Sequence, residues 1–207
     1  MLLFNLISNP QQFIGFIVAI LIAITIHEFA HAWTANYYGD STAKQMGRLT
    51  LNPLAHLDLW GTIFLLIAGF GWGKPVIVNP RNFKNPKLDN LTVSLAGPMS
   101  NLLLATFFGL IYRYFQMPGL LEQIVLLLIF FNLVLMIFNL IPIPPLDGSK
   151  VLSIFLKEET YINFQQMGIF LLFGLILFSQ FFPIIPTFLE KTVSFFFHII
   201  TGKTVLL

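Results

Sequence analysis

The residues best suited to chemistry lie close together in His27-Glu28-Phe29-Ala30-His31. On a helix, histidines at i and i+4 sit one turn apart on the same face, so both imidazoles can reach one metal ion. Glu28 is rotated by about 100° from His27. It does not share the ligation and is free to take a proton from a water that the metal activates. This is the HExxH arrangement of a zinc hydrolase. Catalytic zinc takes three protein ligands and keeps one position open. The chain has no Cys, so the third ligand must be His, Asp or Glu. Asp147 is the best candidate. It follows Pro142-Ile143-Pro144-Pro145-Leu146, where prolines end a helix and unwind the backbone, and Gly148 then permits a tight turn. One Zn2+ per chain is expected.

The elements that must position these groups are set by an unusual composition. Of 207 residues, 57% are hydrophobic and only 10% charged, with 24 Phe, where an ordinary soluble domain is about 25% charged. Too little charge is available to coat a water-exposed surface. A soluble globular protein, a disordered chain and a nucleic-acid binder are therefore excluded, and the net charge of +2 gives no reason for a polyanionic partner. Without Cys there is no disulfide scaffold, thiolate zinc site or cysteine nucleophile. The main solvent is the lipid bilayer. A carboxylate and two imidazoles in such a chain are costly unless something uses them.

The fold class expected is an all-α polytopic membrane protein, with four to five transmembrane helices around an intramembrane zinc site. It forms one membrane-embedded domain over 1–207, with a core of about 13–155 and C-terminal helices in 166–201. Four long uncharged stretches predict spans at Phe13–Tyr37, Leu91–Tyr114, Leu121–Ile141 and Gln166–Phe182, each near the ~20 residues that cross a bilayer. Thr187–Ile200 is either a thin fifth span or an interfacial helix. No basic residue precedes Lys44, so the start of the chain lacks the basic region of a cleavable signal peptide. Between the first two spans lies a small re-entrant or strand-like insertion. Met46–Asn52 and Lys74–Asn79 alternate like strands. Leu59–Trp72 is apolar but broken by Gly61, Gly69 and Gly71, and such backbone is tolerated at membrane depth only under protein or water.

Basic residues favour the cytoplasmic side. Putting Lys44, Arg48, Lys74, Arg81, Lys84 and Lys87 inside, with Lys150 and Lys157, leaves Arg113 outside. The N-terminus is then outside, and the site lies near the cytoplasmic face of a multi-pass cell-membrane protein. The first and third helices both end inside, which brings His31 and Asp147 to the same face. A full span at Leu59–Trp72 would separate them.

These motifs resemble the site-2 protease family of intramembrane zinc metalloproteases. The resemblance rests on HEFAH at His27–His31, LAGPMSN at Leu95–Asn101 and FNLIPIPPLDG at Phe138–Gly148, in that order, over roughly Ile20 to Leu152. It is similar to a compact prokaryotic branch, with the expectation that no PDZ or CBS domain is present. The resemblance implies that His27, His31 and Asp147 hold zinc and that Glu28 is the general base and acid. It implies that Asn101 positions substrate near the metal, and it gives Asn139 a structural role. Membrane-protein substrates with transmembrane helices are the partners implied, and a regulatory membrane partner is left open.

Blander readings stand beside these. Asn101 and Asn139 are also the kind of polar residue that braces transmembrane helices. Asp147 in LDG is also an ordinary turn residue. His56 is a polar loop residue or a transition-state donor rather than a fourth ligand. Gly97 and Pro98 kink the second helix and open space for substrate. Two other functions remain: a zinc or proton transporter using the same four side chains, and a non-catalytic metal-bound scaffold. Transporters show paired repeats with broken helices, which the sequence lacks, and a scaffold has no need of Glu28.

Overall fold

Asn9 opens the first helix, α1 (Pro10–Tyr37), its side chain accepting the backbone N–H of Gln12 at 3.2 Å. Pro10 in the first turn gives up an N–H that the helix could not use. In this computed structural model, which describes residues 9–68 and 71–204, the next helix longer than one turn is α2 (Leu59–Ala68). Asp58 caps it by accepting the N–H of Gly61 at 2.8 Å. Ten residues rise about 15 Å, half of a ~30 Å hydrocarbon core, so α2 does not span. It leaves Leu59, Trp60, Phe64 and Ile67 exposed, as expected of an interfacial or re-entrant piece.

Three long helices build the body. These are α1, α3 (Pro86–Tyr114) and α4 (Gly119–Asn139), each packed against the other two. Ala19, Ala23, Ala32 and Ala35 are fully buried along α1, and small residues let membrane helices approach closely. The chain then passes through α5 (Glu158–Gln166) and α6 (Gly168–Phe181) to α7 (Ile184–Thr201). Val193, Phe197 and Ile200 of α7 join Ala105 of α3 and Val125, Ile129, Leu133 and Met136 of α4 in the main apolar cluster. Phe170, Phe173 and Phe181 face outward from α6.

By length and composition α1, α3, α4 and α7 can each cross a membrane. The protein is therefore a multi-pass membrane protein, with four such helices among the described residues, or five if α5 and α6 together form one span. Two expectations change in detail. The segment expected over Gln166–Phe182 forms α6, a continuous helix of 14 residues that α5 precedes across a 56° bend, where Gly168 packs so closely on Pro144 that a Cβ would lie 2.6 Å from its Cβ. Thr187–Ile200 belongs to an 18-residue helix that packs on α3 and α4.

The strand-like reading of Met46–Asn52 and Lys74–Asn79 is not met. Among the described residues there is no strand, only an isolated bridge between Leu57 and Gly73. Pro75 removes a ladder donor, and side chains take the place of a partner strand. The Arg48 guanidinium donates to the carbonyls of Lys74 and Pro75. The Val76 N–H donates to Glu28 at 2.9 Å and the Asn79 N–H to Asp40 at 2.7 Å. Lys74–Asn79 is thus a strap tied down by two carboxylates from α1 and the loop after it.

Candidate metalloprotease centre

The helical period of α1 brings His27 and His31 onto one buried face, with their Nε2 atoms 3.0 Å apart. Each ring is fixed through its other nitrogen. His31 Nδ1 lies 2.7 Å from the Val93 carbonyl, which can only accept, so Nδ1 carries the proton. His27 Nδ1 lies 2.6 Å from Asn101 Oδ1. The Asn101 amide nitrogen donates to the Ala23 carbonyl at 3.1 Å, which turns its oxygen to His27, so His27 Nδ1 is also the donor. In the tautomers that these contacts favour, both Nε2 lone pairs face the site.

Asp147 meets them from the segment that follows α4. The proline run after α4 ends helical pairing, and Asp147–Val151 forms a 3-10 turn. Gly148 is required there, because a Cβ would strike the carbonyls of Leu140 and Ile141. Asp147 Oδ2 lies 3.1 Å from His27 Nε2 and 3.3 Å from His31 Nε2, and it is buried with no hydrogen-bond partner. In those tautomers three lone pairs converge, two from the imidazoles and one from the Asp147 carboxylate. Ligand atoms bound at ~2.0–2.1 Å in a tetrahedron stand about 3.3 Å apart. The set fits a zinc ion, and its two-nitrogen, one-oxygen donors suit zinc.

A cavity of about 330 Å³ adjoins the triad. Glu28 shares it with the three candidate ligands, the strap residues Pro75, Val76 and Val78, and Asn90, Ser94, Asn139 and Lys150. Gly97 on α3 lies over the imidazole pair, where a Cβ would come within 2.7 Å of His27 Cε1 and closer still to His31 Nε2. Pro98 follows it, buried inside a helix that continues to Tyr114. Asn139, at the last turn of α4, donates to the Leu135 carbonyl at 3.0 Å and faces the cavity.

Two predicted residues sit elsewhere. Asn101 is fully buried behind His27 and does not line the cavity. His56 is also fully buried. Its Nε2 lies 2.8 Å from the Thr50 carbonyl, and its own carbonyl accepts from Lys74 N–H. The structure does not bring it to the metal triad.

Sequence reasoning missed Asn132, the Val93 carbonyl, the Val76 N–H and Lys150. A lone Asn in the apolar run of α4 was a visible signal for Asn132, since such residues bond between helices; backbone groups leave none. Outside the spans, Lys150 beside the site and Asp40 under the strap have shifted acidities. Burial pushes the Lys150 ammonium below its usual range, opposed by the nearby Asp147 carboxylate. Burial would raise Asp40, but hydrogen bonds from Thr42, Asn79 and Asn82 outweigh it and hold the carboxyl below the usual range.

Relatives agree with this picture. The chain is 48% identical over 146 residues to the Bacillus subtilis protein named "Putative zinc metalloprotease YwhC", covering 66% of this chain and 67% of that one. It is 35% identical over 164 residues to Rip2 of Mycolicibacterium smegmatis, covering 73% of this chain and 62% of the relative, so it spans under two thirds of that protein. MJ0611 of Methanocaldococcus jannaschii is 32% identical over 142 residues, with 68% and 70% covered. Rip2 and MJ0611 carry the same zinc metalloprotease designation. No solved structure matches the chain. The profile of peptidase family M50 matches residues 15–125 and 117–179, the stretches that hold both histidines, Glu28 and Asp147, and on that match the chain belongs to peptidase family M50, as a zinc metalloprotease.

Proposed function

We propose that this chain is an intramembrane endopeptidase that hydrolyses peptide bonds within or near transmembrane segments of other membrane proteins. The observation that carries the reading is the three-lone-pair triad, placed beside Glu28 among helices of membrane-crossing length. In this reading His27, His31 and Asp147 hold the zinc. When bound, zinc polarises the scissile carbonyl and acidifies water. Glu28 accepts the proton of that water and returns it to the leaving amine. The Val76 N–H fixes one oxygen of Glu28 and leaves the other for the proton.

The cavity suits a short unwound peptide. An intact helix is about 10 Å across with its side chains, and its carbonyls are engaged with its own N–H groups, so local unwinding must precede cleavage. Pro75, Val76 and Val78 offer an apolar wall to such a segment, and Asn139 and Lys150 offer polar contacts. The charge distribution supports a site near the cytoplasmic face.

The test uses purified, zinc-loaded protein in lipid vesicles with a panel of labelled transmembrane peptides. Cleavage by the wild type, lost in Glu28→Gln with zinc content unchanged, is the expected result. Equal cleavage by both forms removes Glu28 from its role. A zinc-loaded wild type that cuts unstructured soluble peptides and no transmembrane peptide overturns the intramembrane reading.

A further inference from the structure

Among the buried polar groups outside the ligand set, one is tied to it through hydrogen bonds. Asn132 stands fully buried in the apolar run of α4, and its bonds have a direction. Its amide nitrogen donates to the Leu128 carbonyl at 2.8 Å. That fixes Asn132 Oδ1 toward α3, where it accepts from the Asn101 amide nitrogen at 2.8 Å. Asn101 Oδ1 in turn faces His27 Nδ1 at 2.6 Å. The chain runs from a backbone carbonyl of α4 through two amides to an imidazole of α1, crossing all three long helices.

We infer that Asn132 is a positioning residue for the metal site: it locks Asn101 against an amide flip and so holds His27 in the Nδ1–H form that leaves Nε2 bare for zinc. The inference rests on His27 being a ligand, as proposed above. Flipping Asn101 would set its oxygen against two acceptors, Asn132 Oδ1 and the Ala23 carbonyl, and would leave Asn132 Oδ1 without its donor. Buried amides do not tolerate such a mismatch. Without Asn132, only the Ala23 carbonyl opposes the flip. A flipped Asn101 would offer an N–H to His27 Nδ1, drive the ring proton to Nε2, and occupy the lone pair that the metal needs. Partners behind a ligating imidazole commonly act in this way, and losing one costs about 10–100-fold in metal affinity.

The test measures zinc affinity by chelator competition for wild type, Asn132→Leu, Asn132→Asp and His27→Ala, together with the thermal stability of each zinc-free form. Histidine ¹⁵N shifts of the zinc-free protein report the ring tautomer. Asn132→Leu is expected to weaken zinc by roughly 10-fold or more and to introduce the Nε2–H form at His27. Asn132→Asp keeps an acceptor oxygen toward Asn101 and is expected to restore most of the affinity. Wild-type zinc affinity and an unchanged His27 tautomer in Asn132→Leu, with zinc lost in His27→Ala, overturn this inference alone. Zinc retained in His27→Ala overturns the metal-site reading and this inference with it. A fall in zinc-free stability with no change in affinity or tautomer marks Asn132 as a brace and also overturns the inference.

Discussion

Gly97 of α3 rides directly on the His31 imidazole, so close that a single methyl group there would occupy the space of Nε2. The helix that carries the GPxxN sequence thus has its glycine where the ligand ring is. Gly97→Ala should fold, because Ala favours a helix interior, yet it must displace one or both rings. Zinc affinity is expected to fall at least ~10-fold, and activity by about 100-fold, the cost of a ligand misplaced by an ångström. Chelator competition and peptide cleavage check this, and wild-type zinc binding in Gly97→Ala would contradict the packing.

Asp147→Ala removes the one anionic ligand of the triad and the atom that faces both Nε2 groups. Zinc should be lost beyond the 10–100-fold typical of an outer partner, and cleavage with it. Stripping zinc from the wild type by chelation should leave helix content unchanged, since the apolar cluster of α3, α4 and α7 does not include the ligands. Metal analysis and far-ultraviolet circular dichroism report the two effects.

Val76→Pro deletes the N–H that holds Glu28 Oε2 at 2.9 Å. Zinc binding should persist, because no ligand touches that bond. The turnover number should drop about 10-fold, within the range assigned to a positioned proton-transfer group. Steady-state kinetics beside zinc titration separate the base from the ligands. An unchanged turnover number would show that Glu28 is oriented by other means.

Asp40 accepts hydrogen bonds from Thr42, Asn79 and Asn82, and its folded carboxyl titrates below the ordinary range. A depressed carboxylate contributes fully above its unfolded value of about 3.9 and loses that contribution as pH falls through the lower folded value. The strap should therefore be held at neutral pH and loosen in acid. Asp40→Asn presents an N–H to the Asn79 N–H and should loosen it by about 1–3 kcal/mol already at neutral pH. Hydrogen exchange at Val76–Asn79 against pH measures the difference, which should shrink as the medium becomes acidic.

The sequence exposed the groups that chemistry constrains most. His27, Glu28 and His31 follow from helical period and the cost of charge in lipid. Asp147 follows from ligand counting and the proline run before it. The short α2 was legible because its length cannot reach across a bilayer. The strap was misread because alternation in Lys74–Asn79 resembles a strand, whereas Pro75 and the side chains of Arg48, Glu28 and Asp40 satisfy its backbone instead. Asn101 was legible as a polar residue of importance, but its direction was not: only the bonds to Ala23 and Asn132 turn it away from the cavity and toward His27. His56 drew attention as a titratable group, yet its ring closes a loop onto Thr50. The bend before Gly168 leaves a weak trace, since Thr160–Leu189 is uncharged on both sides of it.

The separation of the ligands along the chain governs when a newly made molecule becomes competent. Two are contributed by α1, while the third follows 116 residues after His31. The helices α1, α3 and α4 must therefore all have been made and have entered the bilayer before any molecule can assemble its centre. Until then the half-built product cannot attack its neighbours at the insertion machinery.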